Sequence, residues 1–229
     1  MKMTEMAPAK LNLTLEVGEK SSDGYHKVQS VMTCAALYDE ITLESGTGGD
    51  ITMTCDCSDL PCDETNLCLR AARLFFKKTG TACDGLHISL KKRIPMQAGL
   101  GGGSADAAAV LRGLRKLYRP EMMIKELERM AMELGSDVPF CVRSVTTMVR
   151  GRGEQLLKLP KLPLCWFVIC KPDFSFSTAE MYRRLDACGG MTEGDSCMED
   201  AVAGNNVHAI AAELRNSFER AVPEDSRLW

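Results

Sequence analysis

The feature that most constrains this chain is a glycine-dense stretch at residues 95–106, with four glycines among the five residues 99–103. Glycine lacks a Cβ atom and accepts positive φ, so consecutive N–H groups can point into one concavity that fits phosphate. Apolar residues recur at helical spacing over residues 107–117 and predict a helix, whose N-terminus also favours an anion. Ser104 or Asp106 is expected to cap that helix.

The flanks of this stretch favour a phosphate loop over the alternative, an ordinary flexible turn. Leu86–Lys91 alternates as a strand does, so the order is strand, glycine loop, helix, the setting in which phosphate loops occur. The loop is not a Walker A motif, because no Gly-Lys-Ser/Thr follows, and its glycines are wrongly spaced for a dinucleotide fingerprint. A lysine for the phosphates must therefore come from elsewhere in the chain.

Length, charge and cysteine content exclude several classes of protein. The chain has 229 residues, enough for one large or two small domains, and its net charge of −3 argues against a nucleic-acid or membrane surface as partner. It has no membrane-spanning apolar run and no signal-peptide pattern, so a cytoplasmic location is expected. The eleven cysteines are expected to be small core residues. Cys55, Cys57 and Cys62 lack a paired knuckle, which disfavours zinc.

Two polar positions allow both a structural and a functional interpretation. Residues 10–17 alternate as a strand with leucines and Val17 on the buried face, which puts Lys10, Asn12 and Thr14 on the other face. That face is either solvated or, beside a phosphate loop, provides Lys10 as a fixed cation. Asp137 follows a predicted helix that ends at Gly135, and it is either a capping or turn residue or a functional carboxylate.

The remaining stretches supply further elements. Asn66 or Thr65 is expected to cap a helix that begins near Leu67, and residues 177–180 have capping-box spacing before a short helix that contains Tyr182. A hairpin is predicted over residues 146–158. Prolines mark 159–163 as a linker. We expect Trp166–Ile169 to be a buried strand and residues 189–196 to be a loop.

Two of these segments resemble a known family. Pro-Met-Gln-Ala-Gly-Leu-Gly-Gly-Gly-Ser-Ala-Asp-Ala-Ala, from Pro95, resembles the second signature of the GHMP small-molecule kinases, and Ala7–Leu13 resembles their first. The resemblance implies an α+β, two-domain fold. A ribosomal-protein-S5-like nucleotide-binding and catalytic domain would cover residues 1–158, and an incomplete α/β C-terminal domain would cover residues 159–229.

The resemblance also implies ATP and Mg²⁺. Asn66 and Leu67 would line the adenine site, and Ser104 would be the protein's Mg²⁺ ligand. Gln97 replaces a residue that is often small in the family, which is expected to crowd the entrance of the loop. The residues implied in holding the nucleotide are Pro95, Met96, Gln97, Ala98, Gly99, Leu100, Gly101, Gly102, Gly103, Ser104, Ala105, Asn66 and Leu67.

One branch of the family is indicated by Asp23-Gly24-Tyr25-His26. This segment resembles the one that receives cytidine in the kinases acting on 4-diphosphocytidyl-2-C-methyl-D-erythritol. The residues suit that task, because a tyrosine offers a stacking face and an imidazole offers a hydrogen-bonding edge. The resemblance implies that Tyr25 and Tyr182 sandwich the base. The residues implied in binding this small-molecule substrate are Asn12, Tyr25, His26, Thr178 and Tyr182.

The implied catalytic pair is Asp137 and Lys10. Gly135-Ser136-Asp137-Val138-Pro139-Phe140 resembles the family's segment with its catalytic aspartate. Asp137 would accept the proton of the substrate 2-hydroxyl as the ATP γ-phosphoryl group is transferred, while Lys10 would polarise that hydroxyl and keep Asp137 ionised.

Several alternatives stay open at this point. The family's third, glycine-rich signature has no counterpart after Phe218, so we expect either a truncated sequence or a shortened homologue, including a non-catalytic nucleotide-binding protein. A GHMP kinase for another small alcohol is disfavoured by Tyr25 and His26. An RNA-binding module is disfavoured by the acidic balance. A monomer or a homodimer is expected.

Overall fold

A computed structural model describes residues 1–20, 22, 24–171, 176–188 and 197–222. The chain divides into two compact units. The first unit comprises Met1–Lys10, Cys34–Met96 and Leu100–Ser144. The second comprises Leu11–Thr33, Gln97–Gly99 and the described residues from Val145 onward. The expected domain boundary after residue 158 stays a prediction.

The strands are numbered in chain order. They are β1 (Lys2–Asn12), β2 (Thr14–Lys20), β3 (His26–Ser45), β4 (Ile51–Cys55), β5 (Leu86–Lys91), β6 (Thr147–Gly151), β7 (Gln155–Lys158) and β8 (Arg215–Asn216).

The helices follow the same convention. They are α1 (Leu67–Thr79), α2 (Gly102–Tyr118), α3 (Ile124–Ala131), α4 (Val138–Arg143), α5 (Thr178–Ala187), α6 (Met198–Ala203) and α7 (Val207–Ala212), with a 3₁₀ helix at Ser217–Ala221.

The first unit combines a mixed sheet with four helices. Strand β5 pairs with β4 in parallel and with the C-terminal part of β3 in antiparallel fashion, and β1 also pairs with β3. The register places Ile41 opposite Leu90 and Leu43 opposite Ile88, and all four side chains are buried. Their alternation with polar residues is the reason β5 was predictable as a strand.

Among the helices of the first unit, α2 has the longest run of consecutive buried residues, at positions 105–111. Four alanines of this helix, at positions 105 and 107–109, have no exposed surface. Neighbouring elements therefore pack directly on the helix backbone. At Gly113 an added Cβ would lie 2.6 Å from Leu43 Cδ1. Helix α1 packs along α2, and α4 packs on α2 and α3. Small residues therefore set how closely the helices approach α2.

The second unit contains its own strand pairings and two apolar clusters. Strand β2 pairs with the N-terminal part of β3 in antiparallel fashion and with β8 in parallel, and β6 pairs with β3 and β7 in antiparallel fashion. One cluster joins β2, α5 and the 3₁₀ helix through Leu15, Val17, Met181, Leu185 and Ala221. The other joins strands to α6 and α7 through residues that include Val31, Met148, Val202 and Ile210.

Two local expectations are wrong. The strand expected over residues 10–17 is interrupted at Leu13, so that β1 ends at Asn12 and β2 begins at Thr14. Its polar face is not solvated either, since Lys10 is 7% and Thr14 is 1% exposed. The helix after the glycine loop begins at Gly102 with Gly101 as its N-cap, so Ser104 and Asp106 lie inside the helix and neither caps it.

The expected buried strand at Trp166–Ile169 is also wrong. Residues 166–169 have no regular secondary structure, and Trp166 and Val168 are 96% and 97% exposed. Within this stretch, Phe167 packs against one of the apolar clusters of the second unit. Aromatic and β-branched residues favour strands, but a strand also needs a pairing partner, and no described strand pairs with this stretch.

Most other elements are confirmed. The hairpin is formed by β6 and β7, Asn66 caps α1, and Ser177 caps α5. The mixture of helices and strands confirms the α+β class. The loop expected at 189–196 and Asp23 of the predicted cytidine segment lie outside the described residues. Among the helices that the structure describes, none has the length and apolar character needed to cross a bilayer.

Candidate active site

The backbone that leads into α2 adopts a left-handed conformation at three positions. Gln97, Gly99 and Gly101 all have positive φ, at 54°, 71° and 64°. The first intrahelical bond is donated by Ala105 N–H to Gly101 O at 2.8 Å, so the preceding N–H groups have no acceptor within the helix. Gly103 is exposed and Ser104 is half-buried at this end. Pro95 and Met96, which precede the loop, are exposed.

The loop residues divide between the two units. Leu100 to Ala105 belong to the first unit, whereas Gln97, Ala98 and Gly99 belong to the second. Gln97 is exposed and is the only described non-glycine residue in the loop that has a left-handed backbone. This conformation is one that glycine adopts without steric cost.

Lys10 is packed directly onto the N-cap of α2. Its backbone N–H donates to Leu100 O at 2.9 Å. A Cβ atom added to Gly101 would lie 2.6 Å from Lys10 Cγ, closer than unbonded carbon atoms approach. Glycine is therefore required at position 101 both by its backbone conformation and by the aliphatic stem of Lys10.

Asp137 faces this lysine. The distance from Lys10 Nζ to Asp137 Oδ2 is 3.1 Å, with the two side chains 9% and 32% exposed. Asp137 is the N-cap residue of α4, but its carboxylate makes no capping hydrogen bond. The structural interpretation as a capping side chain therefore fails, and the carboxylate and the ammonium form a partly buried pair beside the loop helix.

A second charged group lies deeper in the first unit. Lys92 contacts both Asp39 and Asp106, with 2.9 Å from its Nζ to Asp106 Oδ2. All three side chains are at most 8% exposed. Burial raises the pKa of the Asp106 carboxyl to about 7, although the charge of Lys92 opposes the shift. The sequence analysis missed this group, and its only signal was a lysine three residues before Pro95.

The residues predicted to line the adenine site lie at the start of α1. Asn66 Oδ1 accepts from Cys68 N–H at 2.9 Å, and Asn66 Nδ2 donates to Pro61 O at 2.7 Å. The Asn66 side chain therefore caps α1. Leu67 Cδ1 would lie 3.6 Å from a Cβ added to Gly103, which places Leu67 next to the glycine loop.

In the second unit, Tyr25 presents an aromatic ring to solvent. The side chain is 60% exposed, and the guanidinium of Arg152 lies 4.2 Å from the ring centroid. This distance is typical of a cation–π contact. Arg152 stands in the turn between β6 and β7 and was missed by the sequence analysis, since a lone arginine in a hairpin turn carries no signal.

His26 and Tyr182 form a stacked pair in the same unit. Their ring centroids are 5.2 Å apart with an interplanar angle of 18°, and Phe218 meets Tyr182 edge-on at 5.0 Å. The structure thus brings His26 and Tyr182 together, while the sandwich of a base between Tyr25 and Tyr182 stays a prediction.

Both nitrogens of the His26 imidazole face protein oxygens. Nδ1 donates to Gly18 O at 3.0 Å, and Nε2 lies 3.0 Å from Asp186 Oδ1, a contact whose angle does not meet hydrogen-bond geometry. The distance supports an electrostatic contact between the ring and Asp186. The expectation that the imidazole edge meets a pyrimidine therefore requires that a ligand compete with Asp186.

The other two predicted substrate residues are Asn12 and Thr178. Asn12 ends β1 and is half-buried, and its Oδ1 lies 3.3 Å from the Ser30 hydroxyl, which donates to it. Thr178 is the exposed first residue of α5. Both positions keep surface that is open to a ligand.

Cysteines and metals add little to the site. Cys68 and Cys141 are buried as expected, but Cys62, Cys170, Cys188 and Cys197 are exposed, so the expectation of core cysteines holds only in part. Burial raises the pKa of the Cys141 thiol, with a further contribution from Asp137. Within the described ranges no group of three or more His, Cys, Asp or Glu residues is arranged to hold a metal ion.

Comparison with known proteins places this geometry in a family. Residues 66–144 match the model of the GHMP kinases N terminal domain. A 4-diphosphocytidyl-2-C-methyl-D-erythritol kinase from Macrococcus caseolyticus is 42% identical over 96% of this chain and 78% of its own length. Kinases of the same name from Exiguobacterium sibiricum and Bacillus velezensis are 42% and 39% identical, with 74% and 75% of their lengths covered. The chain thus spans about three quarters of these relatives.

Solved structures agree with the sequences. A crystal structure of 4-(cytidine 5'-diphospho)-2C-methyl-D-erythritol kinase superimposes with a TM-score of 0.74 at 33% identity, covering 95% of this chain and 76% of that one. A homoserine kinase from Cytophaga hutchinsonii, at 19% identity and a TM-score of 0.65 over 94% of this chain and 71% of its own, shares the fold.

Fold and site together define a small-molecule kinase of the GHMP type, in which a glycine loop leads into a helix beside a lysine–aspartate pair. Within that class, the sequence relatives identify the chain more narrowly than the fold does. The chain belongs to the family of the 4-diphosphocytidyl-2-C-methyl-D-erythritol kinases.

Proposed function

We propose that the chain transfers the γ-phosphoryl group of ATP to the 2-hydroxyl of 4-diphosphocytidyl-2-C-methyl-D-erythritol, a step of non-mevalonate isoprenoid precursor synthesis. The observation that carries this proposal is the 3.1 Å contact between Lys10 and Asp137, packed onto the N-cap of α2. The names of relatives at 42% identity supply the acceptor.

The proposed reaction uses this pair on the acceptor alcohol. The hydroxyl oxygen forms a bond to the γ-phosphorus while the bond from that phosphorus to the β–γ bridging oxygen breaks, and ADP leaves with the electron pair. The alcohol proton goes to Asp137. The Lys10 ammonium would stabilise the negative charge that develops on the oxygen as it loses its proton. Phosphoryl transfer depends on such positioning and charge more than on covalent help.

The nucleotide phosphates would bind the first turn of α2. The N–H groups of residues 102–104 have no acceptor within the helix, and the helix dipole adds positive potential there. Asn66 and Leu67 would lie along adenine. Leu67 is close to Gly103, which supports this placement.

Magnesium is compatible with these residues. Mg²⁺ usually keeps several waters and binds substrate phosphates together with one or two protein oxygens, so a single hydroxyl suffices as the protein's share. Ser104 offers a half-buried hydroxyl in the first turn of α2. When bound, the ion supplies charge neutralisation on the phosphate oxygens.

The second unit would recognise the cytidine end of the acceptor. Tyr25 is 60% exposed with Arg152 against its ring, and His26 and Tyr182 provide a second aromatic group in the same unit. Base stacking on an aromatic ring contributes about 1–3 kcal/mol per base. A galactose or homoserine acceptor has no base that would use such rings. We further propose a cytoplasmic enzyme that acts as a monomer or homodimer.

A panel of acceptors tests the proposal. ATP turnover would be measured with 4-diphosphocytidyl-2-C-methyl-D-erythritol, mevalonate, homoserine and galactose at equal concentrations. We expect kcat/KM for the cytidyl acceptor to exceed the others by at least about a hundredfold. A preference for another alcohol would contradict the proposed identity of the acceptor. Calorimetric binding of ATP and acceptor without turnover would support the non-catalytic alternative.

A further inference from the structure

The group formed by Lys92, Asp39 and Asp106 is not used by the proposed chemistry, although it is one of the most deeply buried charged groups in the described residues. The side chains of Lys92, Asp39 and Asp106 are 8%, 0% and 3% exposed. Asp106 Oδ1 is buried without a hydrogen-bond partner among the described residues, so Asp106 is held mainly through its other oxygen, 2.9 Å from Lys92 Nζ.

The position of this group along the chain is informative. Lys92 lies three residues before Pro95 and Asp106 lies in the second turn of α2, so their contact closes the chain on either side of the glycine loop. Asp39 reinforces the entrance, because its Oδ1 accepts from the backbone N–H groups of Arg93 and Ile94. Lys92 Nζ would lie 3.1 Å from a Cβ added to Gly102, directly against the first turn of the helix.

Stability alone is a poor explanation for such a group. A buried ion pair usually gives no more stability than apolar residues of the same volume, but it fixes the relative positions of its members. A loop with four glycines among residues 99–103 loses much conformational freedom when it is ordered. Holding both ends in place reduces the part of that cost which falls on ligand binding.

We propose that Lys92 and Asp106, supported by Asp39, form a clasp that fixes the two ends of the glycine loop and so acts as a set of positioning residues for nucleotide binding. The inference rests on the proposed kinase function, because the loop is there the phosphate site. Breaking the clasp should weaken nucleotide binding and leave the chemical step at Lys10 and Asp137 largely intact.

The test compares Asp106→Ala with Asp106→Asn in the full chain. The alanine removes the contact with Lys92, and we expect the KM for ATP to rise about tenfold while kcat and the KM for the acceptor stay within about twofold. Asparagine keeps an oxygen for Lys92 and has nearly the same shape, so it should restore the KM for ATP to within about threefold of the native value.

Glu5→Ala is the matched control. Glu5 is 7% exposed and is paired with Arg112 and Lys116 in the C-terminal half of the same helix. Its midpoint of unfolding in urea should fall by about as much as that of Asp106→Ala, but its KM for ATP should stay unchanged. Equal rises in KM for Asp106→Ala and Glu5→Ala, or a loss confined to kcat, would overturn the clasp.

A second measurement does not depend on turnover or on the alanine variant folding. Hydrogen exchange of the amides of Lys10 and Ala105, which donate to Leu100 O and Gly101 O, would be compared for the native chain and Lys92→Met, without nucleotide. We expect faster exchange in the variant at these two amides but not at those of β5. Unchanged exchange at Lys10 and Ala105 would refute the clasp even in an active enzyme, whereas an inactive native chain with the expected exchange would refute only the proposed function.

Discussion

The two units differ in how their predicted site residues are held. In the first unit, Lys10 is 9% exposed, Asp137 is 32% exposed, and the pair has a defined separation of 3.1 Å. In the second unit, Tyr25 is 60% exposed and its ring makes a cation–π contact with Arg152. The first site consists of charged groups, and the second consists of aromatic rings.

The difference corresponds to two physical tasks. Proton transfer depends on distances between charged groups, which only buried or packed side chains keep constant. Recognition of a base depends on open ring faces, which must stay accessible until the ligand arrives. Changes at the Lys10–Asp137 pair should therefore affect kcat, and changes at Tyr25 should affect the KM for the acceptor.

Asp137→Asn should have the largest effect on kcat. A small effect would remove the proposed difference between the two units. Asparagine cannot accept the alcohol proton, so we expect kcat to fall by about a thousandfold. Nucleotide affinity measured by calorimetry should change little. Glu121→Gln, which neutralises an exposed carboxylate, is the control and should keep full activity. Loss of turnover and of nucleotide affinity together would assign Asp137 a structural role.

Gly101→Ala tests whether the lysine is positioned through the N-cap of α2. The new Cβ would lie 2.6 Å from Lys10 Cγ and would require a φ of 64° at a non-glycine residue. We expect a destabilisation of about 1–2 kcal/mol from the backbone and a fall in kcat of about a hundredfold from the displaced ammonium.

Gly80→Ala separates these two effects. Gly80 has a φ of 65° at the C-terminal end of α1, and an added Cβ would meet nothing within 4 Å. It should lose a similar free energy of unfolding in urea while keeping kcat. If Gly80→Ala lost activity as Gly101→Ala does, the contact with Lys10 would carry no catalytic meaning.

The extent to which the sequence predicts this molecule differs between local and distant contacts. The glycine loop, the caps at Asn66 and Ser177, and the β6–β7 hairpin depend on neighbouring residues, and all were predicted. The approach of Lys10 to Asp137 was expected only from the resemblance to a family, because no local pattern relates residues so far apart in the chain.

The remaining features depend on packing that a sequence pattern does not contain. The Lys92 clasp brings together residues from β3, the end of β5 and α2, and charged side chains are ordinarily expected at the surface. The buried strand expected at Trp166–Ile169 is wrong for the opposite reason, because there the local pattern favours an element that the packing does not support. The residues favour a strand, but no described strand is available to pair with them.

Tyr25→Ala addresses the second unit. Loss of the ring removes the proposed stacking face, and we expect the KM for the cytidyl acceptor to rise about tenfold with the KM for ATP unchanged. Tyr38→Ala, at a 38% exposed tyrosine of the first unit, is the control and should leave both values as they are. A fall in kcat without a change in the KM for the acceptor would place Tyr25 outside the recognition site.

Asn66→Ala should have the smallest effect and would sharpen the assignment of the adenine site. Removal of an N-cap side chain costs about 1 kcal/mol of stability. Asn206→Ala removes the equivalent cap of α7 in the second unit and should cost a similar amount. Only Asn66→Ala should also weaken ATP binding, by about threefold in calorimetry. Equal nucleotide affinity in both variants would leave Asn66 as a cap alone.

Identification of the product by phosphorus NMR would show directly whether the Lys10–Asp137 pair acts on an alcohol at the N-terminal end of α2. ATP, Mg²⁺ and 4-diphosphocytidyl-2-C-methyl-D-erythritol would be incubated with the native chain and with Asp137→Asn. We predict a new phosphomonoester signal on the 2-oxygen, equal in amount to the ADP formed, with the native chain only. The same signal at an equal rate with Asp137→Asn would show that Asp137 does not accept the alcohol proton.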